Sequence, residues 1–317
     1  MNSLVLIFFR LKKFTSNLLR GIAMGIADVV PGVSGGTIAL VLGIYEQLLE
    51  NISNCALSLG KILKGDFSGF IQQLKKVNFF FLIPVIAGMF ITIVSVSGPM
   101  VDLLEEHPEP MSGLFFGLVT ASAIIAFSLM SSLDLQKIIF SLSTAILFFA
   151  LLGFRSSAFE DPSSWVFFLS GFIAICAWIL PGVSGAFLLL IMGNYASVLT
   201  AIDNQDFEKL SMLSLGAIIG LAVFSTLLKF LLDKHRDIVL SGLIGLMLGS
   251  SRVLWPWPNG VGVINEDGNE ILSGTNIDWP NSNNFLTPLL LGFLAFGIVL
   301  TIDSVSKRST KPKRSNS

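Results

Sequence analysis

Two serines, Ser34 and Ser184, sit inside the same five-residue run, Pro-Gly-Val-Ser-Gly, found at 31–35 and again at 181–185. A short hydroxyl that precedes small residues and an apolar run suits a helix N-cap. There the first backbone N–H groups lack intrahelical partners and the dipole leaves about half a positive charge. Such a terminus binds anions, phosphate above all. Gly32, Gly35, Gly36, Gly182 and Gly185 would let a ligand approach the backbone closely. Thr37 adds a hydroxyl that the second copy lacks, because Phe187 stands at the matching place, so the two sites are not equivalent. Asp28 precedes Pro31 by three residues in an apolar run, and Trp178 takes its place in the second copy. An ionisable residue at that depth is a functional candidate by default, either exchanging a proton or accepting from free amides nearby. Glu46, at the far end of the first half-helix, is a gating candidate, and Arg252 is a cation able to pair with phosphate. Small residues also permit close helix crossing; the duplication is what favours a ligand site.

The elements that must position these residues are membrane helices. The chain of 317 residues is 53% hydrophobic and only 13% charged, which excludes a water-soluble domain of this length. Segments 31–45 and 181–195 share eight of fifteen residues without a gap, including Gly43 with Gly193 and Tyr45 with Tyr195. A repeat that breaks an apolar segment at the same place twice is the mark of a transporter built from two related halves. Each Pro-Gly cuts its segment into pieces too short to span, because Pro removes a donor and restricts its predecessor. Apolar stretches long enough to cross lie near 79–101, 112–131, 137–154, 211–232, 238–254 and 286–303.

Loop charges give the topology. Arg10, Lys12, Lys13 and Arg20 precede the first motif, and Lys61, Lys64, Lys75 and Lys76 follow it, so both ends of that segment face the cytoplasm. It therefore enters and leaves by one face. Three crossings later the second copy enters from the other side. The acidic loops at 102–109 and 203–208 fall outside, and the basic tail from Lys307 to Arg314 returns inside. The predicted fold is an all-α polytopic membrane protein with inverted-topology repeats, each a re-entrant helical hairpin plus two transmembrane helices, with a linking helix and a final helix. The expected division is a cytoplasmic N-terminal segment at 1–18, a first repeat at 19–131, a linking helix at 132–163 and a second repeat at 164–254. An external loop bordered by Trp255, Trp257 and Trp279 follows at 255–285, then a final helix at 286–303 and a basic tail at 304–317. No cleavable signal is read at the N-terminus. Both termini are expected to be cytoplasmic.

His107 before Ser112-Gly113-Leu114 echoes His235 before Ser241-Gly242-Leu243, which supports the repeat. Cys55 and Cys176 are isolated, and the two histidines lie in loops on opposite faces, so neither a disulfide nor a metal site is expected.

With ADVVPGVSGGTIALVLGIYE at 27–46 and the later Pro-Gly-Val-Ser-Gly, the chain resembles the polyprenyl-phosphate transporter family, over nearly its whole length. The resemblance implies a flippase of the bacterial cytoplasmic membrane that returns undecaprenyl phosphate, the lipid carrier of cell-wall synthesis, from the outer to the cytoplasmic leaflet. It implies no enzymatic activity, no cofactor and no nucleic acid. The expected partners are the polyprenyl phosphate lipid and the bilayer, with proton coupling through Asp28 or the phosphate itself. Oligomeric state is left open. A second resemblance, to membrane undecaprenyl pyrophosphate phosphatases, rests on Pro-Gly-x-Ser. That family has an Arg after the Ser, where Gly35 and Gly185 stand here. A carrier of small inorganic anions shares the half-helix logic.

Overall fold

The computed structural model describes residues 3–28, 34–153, 162–257, 277 and 285–310. The described residues are helical with no strand, and the chain is a polytopic membrane protein. In chain order the helices are α1 (Ser3–Asp28), α2 (Gly35–Val41), α3 (Tyr45–Leu63), α4 (Phe67–Leu74), α5 (Phe79–Glu106) and α6 (Pro108–Ser128). They continue as α7 (Leu135–Leu151), α8 (Ser164–Ile179), α9 (Gly185–Ile191), α10 (Tyr195–Asp203), α11 (Phe207–Gly249) and α12 (Leu286–Thr310), with a 3₁₀ turn at Ser250–Arg252.

Four of the described helices are long and apolar enough to cross a membrane, with spans Phe79–Val96, Glu109–Ser128, Phe207–Arg252 and Leu286–Ser304. The 43 residues of α11 would run roughly 65 Å, about twice the hydrocarbon thickness. His235, with φ −136 and ψ 47, divides it into arms at 207–234 and 236–249. His107, with φ −133 and ψ 53, makes the same kink between α5 and α6. The two histidines paired by sequence thus share one backbone conformation.

Glycines set how the helices pair. A Cβ at Gly21 would run into the backbone of Val85, and one at Gly25 into Met89, so α1 lies directly on α5 with both chains running the same way. Gly171 against Leu213 and Gly220 against Phe172 and Ile175, with Ser164 bonded to Glu208 and Cys176 to Gly220, place α8 on the first arm of α11 in the same parallel manner. Such contacts bring backbones together where lipid tails offer no hydrophobic drive. Polar groups add to them: Thr92 donates to the Ile22 and Gly88 carbonyls at 3.3 and 2.9 Å. The later spans cross over. Gly113 and Gly117 of α6 meet Pro288 and Gly292 of α12, while Gly245 and Gly249 of α11 meet Ser141 and Ala145 of α7.

Several boundaries differ from the sequence expectation. The first helix reaches back to Ser3, through a segment read as preceding the membrane, because Asn17 is buried and its amide donates to the Phe80 carbonyl at 3.4 Å. The final helix runs on to Thr310. The external loop expected at 255–285 lies outside the described residues apart from 255–257, 277 and 285, and so does the tail from 311.

Gly216→Val should destabilise the protein by about 1–3 kcal/mol through overpacking on Phe168. Gly60→Ala, whose added Cβ meets nothing within 4 Å, should instead gain roughly 0.5–1 kcal/mol of helix stability. Thermal unfolding in detergent micelles compares the two.

Candidate functional site

The two repeated segments fold alike. In the second, α8 ends at Ile179, Leu180 turns to extended backbone (φ −75, ψ 125), Gly182 takes φ +82, and α9 begins at Gly185. A side chain at Gly182 would be strained in that region. Each half-helix then closes on a glycine of positive φ, Gly43 at +66 and Gly193 at +74. The next amide reaches back five residues in both copies, Ile44 to the Ala39 carbonyl and Asn194 to that of Leu189, each at 2.9 Å. In the first copy α1 ends at Asp28 and α2 begins at Gly35, and Gly32 lies outside the described residues.

The two breaks touch. Ser34 Oγ donates to the Trp178 carbonyl at 2.9 Å, and Tyr45 Oη donates to that of Ile179 at 3.2 Å. In return the Gly182 amide donates to Thr37 Oγ1 at 2.8 Å. Three hydroxyls of the first segment thereby satisfy backbone groups that the second break frees. Each such bond contributes roughly 0.5–1.5 kcal/mol, and leaving the buried partner unmade costs more.

Ser34 caps α2, its Oγ accepting from the Gly36 amide at 3.1 Å. Ser184 sits likewise before α9, its Oγ accepting from Phe187 at 3.4 Å. Asp28 approaches the same terminus from α1: Oδ1 accepts from the Gly35 amide at 2.6 Å, with the Trp178 side chain beside the same carboxylate. Residues that occupy equivalent places in the two segments are therefore in direct contact. The position at the start of α2 where an external anion was expected already holds an internal carboxylate. Asp28 Oδ2 is buried and has no hydrogen-bond partner.

The glycines are explained by these contacts. A Cβ at Gly35 would meet the Asp28 carboxylate, one at Gly36 the Ile179 carbonyl, one at Gly182 Met247, and one at Gly185 the Ala174 backbone. Ser34, Gly35, Gly36 and Thr37 are buried, whereas Ser184 and Gly185 are partly exposed. Ser184 borders a cavity of about 10 Å³ with Gly182, Phe148 and Ser250, enough for about one water.

Arg252 lies between Ser250 and Val253, which border the same cavity as Ser184, and is held by α7. Its guanidinium donates to the Phe149 carbonyl at 3.2 Å and lies 5.0 Å from the Phe149 ring centre. Glu46 forms an ion pair with Arg236 at 2.9 Å beside the His235 kink. Arg236 also donates to the Leu129 carbonyl at 2.7 Å, so α3, the end of α6 and the kink are tied together. The sequence carried no signal for Arg236 or for Tyr45 Oη, since their partners lie far along the chain. No cluster of metal-ligating residues occurs among the described residues.

Residues 24–271 match the model of a family described as undecaprenyl phosphate translocase-like. A polyprenyl-phosphate transporter of Vibrio cholerae serotype O1 is 36% identical over 304 residues, covering 93% of this chain and 98% of that protein. A polyprenyl-phosphate transporter of Staphylococcus aureus is 31% identical over 259 residues, 76% of this chain and 86% of that protein. No solved structure matches.

Thr37→Val keeps the shape of the side chain but leaves the Gly182 amide without its acceptor, and should cost about 1–3 kcal/mol. Thr37→Ser should cost much less. Amide exchange at Gly182 distinguishes them: faster in the valine variant, near the parent rate in the serine variant.

Proposed function

The chain belongs to the undecaprenyl phosphate translocase-like family, and from that premise we propose that it moves polyprenyl phosphate from the outer to the cytoplasmic leaflet of a bacterial inner membrane. The observation that carries the reading is the meeting of the two breaks, where Ser34, Thr37 and Tyr45 bond to the backbone of Trp178, Ile179 and Gly182. A lipid monophosphate cannot carry its charge through hydrocarbon unaided. A site of amides and hydroxyls reached from both faces replaces the water around the phosphate while the prenyl chain stays in lipid.

Two re-entrant hairpins, inverted with respect to each other, supply that site. The parallel pairing of α1 with α5, and of α8 with the first arm of α11, supports this, because each broken segment follows its partner span into the membrane from one side. In this conformation the first break is closed: Asp28 occupies the start of α2 and Thr37 occupies the Gly182 amide. Phosphate competes with both. Protonation of Asp28 removes the charge that repels the headgroup and loosens its hold on the Gly35 amide, so a proton and the phosphate bind together. Ser34, Gly35, Gly36, Thr37, Gly182, Ser184 and Gly185 then face the headgroup; Gly32, expected with them, lies outside the described residues. Arg252 receives it at the outer end, and the Glu46–Arg236 pair closes the cytoplasmic end. Rocking of one half against the other gives alternating access. Both termini lie in the cytoplasm.

Hydrolysis is the poorer reading, because Gly35 and Gly185 offer no cation to a transferring phosphoryl group.

The test is transbilayer movement of labelled undecaprenyl phosphate in proteoliposomes. The parent protein should deplete the outer leaflet, and Ser184→Ala should slow it about tenfold, a barrier change of ~1.4 kcal/mol. Asp28→Asn should abolish the dependence of the rate on pH. No protein-dependent movement, together with phosphate release from the pyrophosphate form, would establish an enzyme instead.

A further inference from the structure

A lipid carrier with a long tail cannot be enclosed, so its headgroup site must open sideways through an apolar wall. Such an opening adjoins the second break. A groove of about 370 Å³ lies between α7 and the two arms of α11, lined by Phe140, Leu231, Val239 and Leu246, with Thr144 and His235 as its polar residues. Its size falls in the ~300–1,000 Å³ range of small-molecule sites. Leu180, immediately before Pro181, forms part of its wall. The neighbouring cavity beside Gly182 and Ser184 uses Phe148 of α7 and Leu152, its C-terminal cap. Phe140, Thr144, Phe148 and Leu152 recur at four-residue spacing, which places groove and cavity one after the other along a single face of α7. The break therefore lies between them, with amides and a serine hydroxyl on one side and an apolar trough on the other.

We infer that this groove holds the isoprene units nearest the phosphate of the transported lipid, with the phosphate at Gly182 and Ser184. This rests on the proposed function and deepens it. Continuity with the break selects the occupant, because a chain leaving a phosphate at Ser184 meets Leu180 and the groove next. A prenyl chain needs no drive to lie there, since lipid is as apolar as its walls. A free inorganic anion gains nothing from such a surface, and the groove thus separates a lipid carrier from a small-anion carrier at the same headgroup site.

The test uses the full-length protein in proteoliposomes of phosphatidylethanolamine and phosphatidylglycerol, with polyprenyl phosphate carrying a diazirine on the isoprene next to the phosphate. Labelling is expected at Phe140, Leu231, Val239 or Leu246. Excess unlabelled polyprenyl phosphate should compete, and inorganic phosphate or added phosphatidylglycerol should not. Val239→Trp and Gly242→Leu, which fill the groove, should slow transport at least tenfold with unchanged thermal unfolding. Labelling confined to a second groove, which Phe116, Trp255, Trp257 and Phe293 line between α6 and α12, equal competition by phosphatidylglycerol, or parent-rate transport in the filled variants would overturn the assignment. If the parent protein labels in the groove but moves no lipid, the groove stands and the transport reading falls. If it moves lipid but labels elsewhere, the reverse holds.

Discussion

Inside a bilayer a broken helix must find partners for the backbone groups it frees, because no water is there to serve them. This chain meets that demand by setting its two breaks against each other. Ser34 and Tyr45 answer the carbonyls of Trp178 and Ile179, and Thr37 answers the Gly182 amide. The first break adds Asp28 from its own entering helix. Much of the surrounding arrangement follows. The half-helices have to be short, the glycines at 35, 36 and 182 have to be bare, and α1 and α8 have to lie directly on their spans to bring both ends to one place.

A duplicated motif has become a complementary pair. Equal positions in the two copies carry a carboxylate and an indole, Asp28 and Trp178, and these lie beside each other. Thr37 and Phe187 likewise differ, one accepting a hydrogen bond from the other half and the other packing in a separate apolar cluster with Phe148 and Val253. Identical halves would have presented hydroxyl to hydroxyl and charge to charge. Their divergence allows the hydroxyls of the first segment to bond to the backbone of the second, while Asp28 Oδ2 and Asn194 Oδ1 stay buried without a hydrogen-bond partner.

What the sequence revealed was mostly local. The second Pro-Gly break and the cap at Ser34 depend on residues within a turn of one another, so their signals sit side by side in the chain; His107 and His235, read as loop residues, instead sit at kinks in the helical backbone. The membrane class was equally plain from composition. What stayed hidden was long-range: Glu46 with Arg236, Tyr45 with Ile179, and the choice of partner for each later span. Nor did charge counting anticipate that the basic N-terminal segment continues the first helix, since the snorkelling lysines of a helix and those of a loop read alike. The glycines at 35, 36, 182 and 185 were read as room for a ligand, and in this conformation the protein's own atoms come close to them.

The crossed pairing of spans has a bearing on how the chain is made. Helix α6 finds its glycine-matched neighbour in α12, and α7 finds its own in the second arm of α11, so neither is complete when it leaves the ribosome, unlike the early pair α1 and α5. At ~5–20 residues per second, α6 waits roughly ten to forty seconds for α12 to be synthesised. During that interval Gly113 and Gly117 face lipid or an insertion chaperone. A chain cut short before Leu286 would leave that seam permanently open and mark the product for membrane quality control.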